Sequence, residues 1–598
     1  MLKRLRPFVF LYFCAAGISC ASVATVSTVT QPDANARLDQ IAANYFEEVI
    51  ALDPVGATSI GDTRFNNLYL APFANSHRAR ARALDEKYFE LLNRLDRGSL
   101  DERHRITYDV LQTSFNSSAE TRKYPSQLMP LNQFFNFTAG FAQLGAGTGL
   151  HPFKTVKDYE DFLGRINGFT QAVDTAIANM RMGMASGVTQ PRILMERVLP
   201  QLSAHVVDDP AASLFYGPVK NMPASFSAED RARLTAAYTE AIRTQIVPAF
   251  DRLHTFVKNE YIPAARTTHG YGALPNGGAW YAQLVRSNTT TNLTPAQVHR
   301  IGLSEVARIH AEMEKVKSQV GFTGTLQEFF KYLGAEPKFR YASREEMLAD
   351  YRAAKIRIDS TTDKLFDFRP KADYEIRMVE PFRERSASGG SYQSASPDGS
   401  RPGIFYLNTY QPTTHTKFGM VDLLLHEGSP GHHFQRSVQR ELTDLPKIRR
   451  FGGFTAYTEG WGLYAESLGS ELGVYNDPYQ YYGMLAGELW RAIRLVVDTG
   501  IHAMGWTREQ AIAYARANSS SSDESIESEV ERFMAIPGQA LAYKVGQLKI
   551  RELRVRAEKE LGPKFDVKKF HRVILENGPL PLGVLEARVD RWIAAQKD

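Results

Sequence analysis

The sequence predicts a mainly α protein, and two observations carry that prediction. Apolar residues recur at helical spacing along most of the chain, as at Leu38, Ile41, Ala42, Tyr45 and Phe46, and again at Val306, Ile309, Met313 and Val316. Helix starts are written into Thr294-Pro295-Ala296-Gln297, with a threonine cap and a proline in the first turn, and into Thr507-Arg508-Glu509-Gln510, a capping box.

The chain has 598 residues. A typical domain takes ~100–200 residues, so a large core and two lobes are expected. With 43% hydrophobic, 23% charged and 11% aromatic residues, it has the composition of a soluble globular protein. The 71 basic and 66 acidic residues give +5. They are spread without the dense Lys/Arg stripe that nucleic-acid binding needs, so nucleic acid is not an expected partner.

The first residues have the layout of a secretory leader: Lys3, Arg4 and Arg6, then the apolar stretch Pro7 to Ile18, then small residues. That stretch is short of the ~20 residues a bilayer span takes. Two processing routes are open. Gly17-Ile18-Ser19-Cys20 can act as a lipobox that makes Cys20 a lipidated N-terminus, or cleavage can follow Ser22-Val23-Ala24 and release a soluble product. Either way residues 1–24 are expected to be a signal peptide, and the protein to be periplasmic or anchored to the cell envelope by lipid. The only cysteines, Cys14 and Cys20, lie in this leader. The mature chain therefore has no disulfide, zinc thiolate or cysteine nucleophile.

The Gly-, Pro- and Thr-rich stretch from Thr267 to Gly278 is the expected boundary between an N-terminal helical lobe, residues 34–270, and a catalytic lobe, residues 279–598. A second irregular stretch, Ser386 to Pro402, leads into Gly403-Ile404-Phe405-Tyr406-Leu407-Asn408, a short run read as a strand. It precedes a His-Glu pair by about 20 residues. An edge strand there would let an extended peptide add to the sheet, although a strand with no substrate role is an equal alternative.

Residues 421–435 read Val-Asp-Leu-Leu-Leu-His-Glu-Gly-Ser-Pro-Gly-His-His-Phe-Gln. In the standard helical zinc motif, two histidines four apart share a face and the Glu after the first is the general base. Here Pro430 occupies the place of the second histidine. On a regular helix His433 would sit ~10.5 Å further along the axis from His426, and His432 would point elsewhere. Ligand nitrogens must come within ~2.0–2.1 Å of one ion, so the helix has to bulge or break. Pro430 forces this by lacking an N–H and by clashing with the carbonyl of His426, and Gly431 tolerates it. His432 is the preferred second ligand, with His433 the alternative or a group facing the substrate.

Twenty-seven residues after His432, Thr-Glu-Gly-Trp-Gly-Leu-Tyr-Ala-Glu places Glu459 and Glu466 seven apart on one helix face. Glu459 is the expected third ligand, and Glu466 the carboxylate that orients a ligand histidine. Gly460 and Gly462 each cost ~1 kcal/mol in a helix interior, which suggests close approach to the element that bears the metal. Further on, Tyr543 is a candidate donor to an oxyanion and Arg532 a candidate holder of a substrate carboxylate. Structural roles remain open at this point: a polar cluster for the histidines, a surface carboxylate for Glu466, a core tyrosine for Tyr543 and an ion-pair partner for Arg532.

With these residues in view, the chain resembles the bacterial family designated domain of unknown function 885. The likeness rests on the His-Glu, Pro-Gly-His-His pattern at 426–433, the Glu-Gly-Trp, Leu-Tyr-Ala-Glu pattern at 459–466 and the Pro-Gly-Gln-Ala-Leu, Tyr-Lys pattern at 537–544. It runs from about residue 35 onward and includes Phe565-Asp566, Phe570-His571 and Leu580-Pro581-Leu582. The resemblance implies a zincin-like, mainly helical two-lobed architecture with a small sheet flanking the active-site cleft, a Zn2+ cofactor and a deep channel for short peptides. Thr458-Glu459-Gly460-Trp461-Gly462 is also similar to the segment of zinc aminopeptidases that supplies their third ligand, which favours Glu459 over Glu466.

The expected function is a zinc peptidase in which His426, His432 and Glu459 hold the metal and Glu427 activates water. The alternatives are a zinc amidase or esterase, and a non-catalytic exported binding protein of the same fold.

Overall fold

The computed structural model describes residues 33–380, 384, 387–396 and 402–597. The leader, with Cys14 and Cys20, lies outside them. Among the described residues no helix is long and apolar enough to cross a membrane.

The protein is mainly α-helical with one small sheet. The elements that position the candidate site are helices α1 (Glu102–Thr121), α2 (Val156–Ser186), α3 (Gly277–Thr289) and α4 (Pro295–Gln319); strands β1 (Tyr374–Met378), β2 (Gly390–Gln393) and β3 (Gly403–Leu407); and helices α5 (Met420–Glu427), α6 (His432–Glu441), α7 (Thr455–Ser467), α8 (Pro478–Ala503), α9 (Asp523–Ala535), α10 (Leu541–Leu561) and α11 (Val567–Leu575). The Thr294 capping box opens α4, as its sequence predicts.

Residues from 131 to 265 build an apolar cluster of their own around α2, with Tyr159, Phe162, Ile166, Phe169 and Val173 stacked along one face. Helix α1 joins two other clusters. Leu111 and Phe115 of that helix enter a second N-terminal cluster, while Ile106 and Val110 enter the large core that carries β1, β3, α5, α7 and α10. The Thr267–Gly278 stretch is itself held fast. Tyr271 is buried, and its N–H donates to Nδ1 of His502 in α8 at 3.0 Å.

In the sheet, β3 lies in the middle, parallel to β1 and antiparallel to β2. This corrects the reading of Gly403–Asn408 as an edge strand: both sides of β3 are paired, and the sheet's edges are β1 and β2. The alternation of side chains separates two faces. Tyr374, Ile376, Phe405 and Leu407 face the core, while Glu375 and Arg377 point outward. The register puts Arg377, Tyr406 and Ser391 in one outer row.

Candidate metal centre

Helix α5 delivers His426 and Glu427 at its last turn and then stops. Gly428 leaves helical geometry at ψ −130°, and the chain reverses through Pro430 and Gly431 before α6 restarts at His432. A Cβ on Gly431 would lie 2.1 Å from the carbonyl oxygen of His426 and 2.2 Å from that of Leu425, so only glycine fits this reversal. Trp461 of α7 ties the turn down, its Nε1–H donating to the Pro430 carbonyl at 2.8 Å. The break replaces the regular helical spacing, and the rings of His426 and His432 end up 4.6 Å apart, centre to centre.

Helix α7 brings the carboxylate. Glu459 Oε2 stands 3.3 Å from His432 Nε2 and 3.7 Å from His426 Nε2. One donor atom from each of His426, His432 and Glu459 lies within 4.8 Å of the others. On the far side of the His426 ring, Nδ1 meets Glu466 Oε1 at 2.6 Å, and Arg491 of α8 donates to the same oxygen at 3.2 Å. Nδ1–H therefore donates to Glu466, and Nε2 is the nitrogen that faces Glu459 and His432.

The two glycines of α7 serve different neighbours. A Cβ on Gly462 would stand 2.8–3.0 Å from three atoms of the His426 ring, so this glycine admits the imidazole. Gly460 instead faces Gly546 of α10, where a Cβ would come within 2.5 Å of the Gly546 backbone. The expectation that both glycines approach the metal-bearing element holds for Gly462 alone. At Gly460 the space is taken by the crossing of two helices.

The electrostatics follow from burial and from this crowding of acids and bases. Burial works against a charged His426, yet its contacts with Glu459 and Glu466 outweigh that and raise it to about 10. Burial likewise opposes ionisation of Glu459, but the neighbouring His432 and His426 hold it well below the usual carboxylate range. Such a cluster of imidazoles and carboxylate is a site where a proton and a cation compete for the same lone pairs. Asp422, one turn before His426, is pushed well above the ordinary carboxylate range by burial and then by the charge of Glu466. Its i, i+4 relation to His426 was readable in the sequence. Arg491 had no such signal, because only the packing of α8 brings it here.

His433 departs from its expected role as alternative ligand. Its ring packs against Tyr374 at 4.5 Å and its Nδ1 meets the Tyr392 hydroxyl at 3.0 Å, so it faces the sheet and not the cluster. The reason is angular, since neighbours on a helix point ~100° apart. Burial lowers it to about 4, which keeps it neutral.

Tyr543 of α10 lies nearly parallel to the His426 ring, 6.4 Å away. Its hydroxyl is approached at 3.5 Å by both Arg532 Nη2 and Gln539 Nε2, and the Arg494 guanidinium lies 4.7 Å over its ring. Arg532 also bonds Glu529 at 3.2 Å and Gln539 Oε1 at 3.1 Å. It stands beside the candidate centre with its guanidinium shared among these partners.

The family of bacterial proteins of unknown function designated DUF885 matches residues 54–589. The chain belongs to this family. No curated protein matches it. Among solved structures it is similar to a "putative lipoprotein" of Colwellia psychrerythraea, at 28% identity and TM-score 0.87, over 94% of this chain and 100% of that one. A protein of Shewanella oneidensis, likewise described as a lipoprotein of unknown function, shares the fold at 18% identity and TM-score 0.69, over 92% of this chain and 99% of that one. Segments 426–433 and 459–466 supply the residues of the candidate centre, and segment 537–544 brings Tyr543 beside it.

Proposed function

We propose that this DUF885 protein is a zinc-dependent hydrolase of zincin type, and that it acts on short peptides. The observation that carries the reading is the convergence of His426, His432 and Glu459. A tetrahedral ion with ligands at ~2.0–2.1 Å sets donor atoms ~3.4 Å apart, and the carboxylate stands 3.3 and 3.7 Å from the two imidazoles. The donor set fits zinc: two imidazole nitrogens and one carboxylate oxygen, with His426 already oriented by Glu466 on its other nitrogen.

Bound there, zinc would supply a Lewis acid that polarises a carbonyl and makes water easier to deprotonate. Glu427, next to His426 at the end of α5, takes the proton from the attacking water and passes it to the leaving amine. Tyr543 donates to the oxygen of the scissile carbonyl as negative charge develops, with Arg532 and Gln539 steadying its hydroxyl. An extended peptide lies along β2, an edge strand of the sheet among the described residues, which takes the place first given to β3. The leader, and the fold shared with the "putative lipoprotein" of Colwellia psychrerythraea, support a location in the cell envelope, with Cys20 as an attachment point.

The decisive experiment is Glu427→Gln. The variant should bind zinc as the wild type does and lose hydrolysis of a peptide library by about 10²–10⁴-fold, the usual contribution of a general base. Full activity in that variant would remove Glu427 from the role of base. Wild-type protein that holds no zinc at any stoichiometry would remove the enzymatic reading altogether.

A further inference from the structure

A second site lies apart from these residues. A cavity of about 870 Å³ opens between the outer face of the sheet, α6 and the N-terminal segments around residues 55–66 and 140–154. None of His426, Glu427, His432 or Glu459 lines it. Its size is that of a small-molecule site.

Its walls carry more basic than acidic side chains, with Arg377 paired to Glu375 at 2.6 Å. Lys154, Arg377, Arg436 and Arg440 line it, against Glu380 as the sole acid among the described lining residues. The corner made by Thr58 and Asn66 is backed by Arg165, which is fully buried. Arg165 Nη2 donates to Thr58 Oγ1 at 2.5 Å and to Asn66 Oδ1 at 3.3 Å, and its Nε donates to the Asn66 carbonyl. All of these acceptors are neutral. Asp161, the acid one turn earlier, is paired with Lys157 at 2.7 Å, and no ion pair among the described residues joins Arg165 to a carboxylate.

Two further N–H groups at this corner have no acceptor among the described residues: Arg165 Nη1 and Asn66 Nδ2, both buried. A buried cation and a buried amide left without acceptors are costly; an anion against Asn66, which lines the cavity, would satisfy the amide directly and offset the charge of Arg165 behind it. Of the nearby hydroxyls, those of Thr58 and Ser59 donate to protein oxygens, and that of Thr63 also lines the cavity.

We propose that this cavity binds a small molecule bearing a carboxylate or phosphate group, seated at the Thr58–Asn66 corner in front of Arg165, with Lys154 and Arg436 drawing its remaining negative charge from opposite walls. The site shares no residue with the proposed metal ligands, but it does share Ser391, Tyr392 and Gln393 of β2, the strand along which the peptide is proposed to lie.

The test is calorimetric titration of the mature protein, with inorganic phosphate and, separately, the peptide Glu-Glu-Glu, at low ionic strength. At least one probe should saturate a single site, and which of them does so tells phosphate from carboxylate recognition. Lys154→Glu combined with Arg436→Glu should weaken that binding tenfold or more while zinc content stays at the wild-type value. Arg165→Met should abolish it. If loss of the buried guanidinium prevents folding, the Lys154/Arg436 pair decides, because both side chains reach solvent. Failure of both probes to saturate the wild-type protein, or unchanged affinity in the double variant, would overturn the proposal.

Discussion

Gly462→Ala separates the shape of the proposed metal centre from the stability of the fold. The added Cβ would stand 2.8 Å from His426 Cε1 and 3.0 Å from both ring nitrogens. Carbon atoms in ordinary contact keep ~3.5–4.0 Å, so the ring or the helix must yield by about 0.7 Å, the difference between 3.5 and 2.8 Å. The ring has no easy retreat, because Nδ1 is held by Glu466 at 2.6 Å. A metal ligand displaced by more than ~0.5 Å leaves productive geometry, and losses of 10–100-fold in metal affinity follow from disturbances of this kind. That is roughly 1.4–2.8 kcal/mol of binding free energy. The same substitution favours α7 as a helix by up to ~1 kcal/mol, so the metal-free protein need not melt earlier. Zinc affinity measured by competition with a chelator, alongside thermal melting of metal-stripped protein, distinguishes the two effects. Zinc binding by Gly462→Ala within twofold of wild type would refute the steric argument.

Glu466→Gln should keep the shape of the contact with His426 but remove its charge, lowering zinc affinity about 10–100-fold with little change in fold, as read by chelator competition and circular dichroism. Lys544→Met tests a different feature. Lys544 is fully buried between Glu488 at 2.6 Å and Glu305 at 2.9 Å, and its loss leaves buried carboxylates short of a partner, so urea unfolding should show a loss of about 3–5 kcal/mol. His571, bonded to the Leu365 carbonyl and the Tyr464 hydroxyl, is held by burial at about 4, below its unfolded value near 6.5. The unfolded chain therefore takes up the proton first. The contribution of His571 to stability is complete above pH ~6.5 and declines as pH falls from there toward 4. His571→Gln should flatten the pH dependence of unfolding over that window by up to ~1.4 kcal/mol per pH unit, and identical slopes would count against it.

Local pattern was enough for the mainly α class, the capping boxes at Thr294 and Thr507, and the placing of a strand at Gly403, because each rests on spacing between near neighbours in the chain. The same holds for the break after Glu427, since a proline lacks the N–H and crowds the carbonyl four residues back, and the glycine after it lets the chain reverse. The position of β3 within the sheet was another matter. Whether a five-residue strand is central or at an edge depends on partners tens of residues away, and those partners, β1 and β2, are short and carry weak signals of their own.

The sequence by itself determined which residue types could meet: two imidazoles on either side of a Pro-Gly reversal, and a carboxylate one helix later. Only the tertiary structure decided which of the paired histidines turns inward, that Gly462 admits His426 while Gly460 admits α10, and that Arg491 of α8 supports Glu466. The physical reason is that direction along a broken helix, and contact between helices, depend on packing across the whole core, whereas spacing along the chain constrains only what is near in sequence.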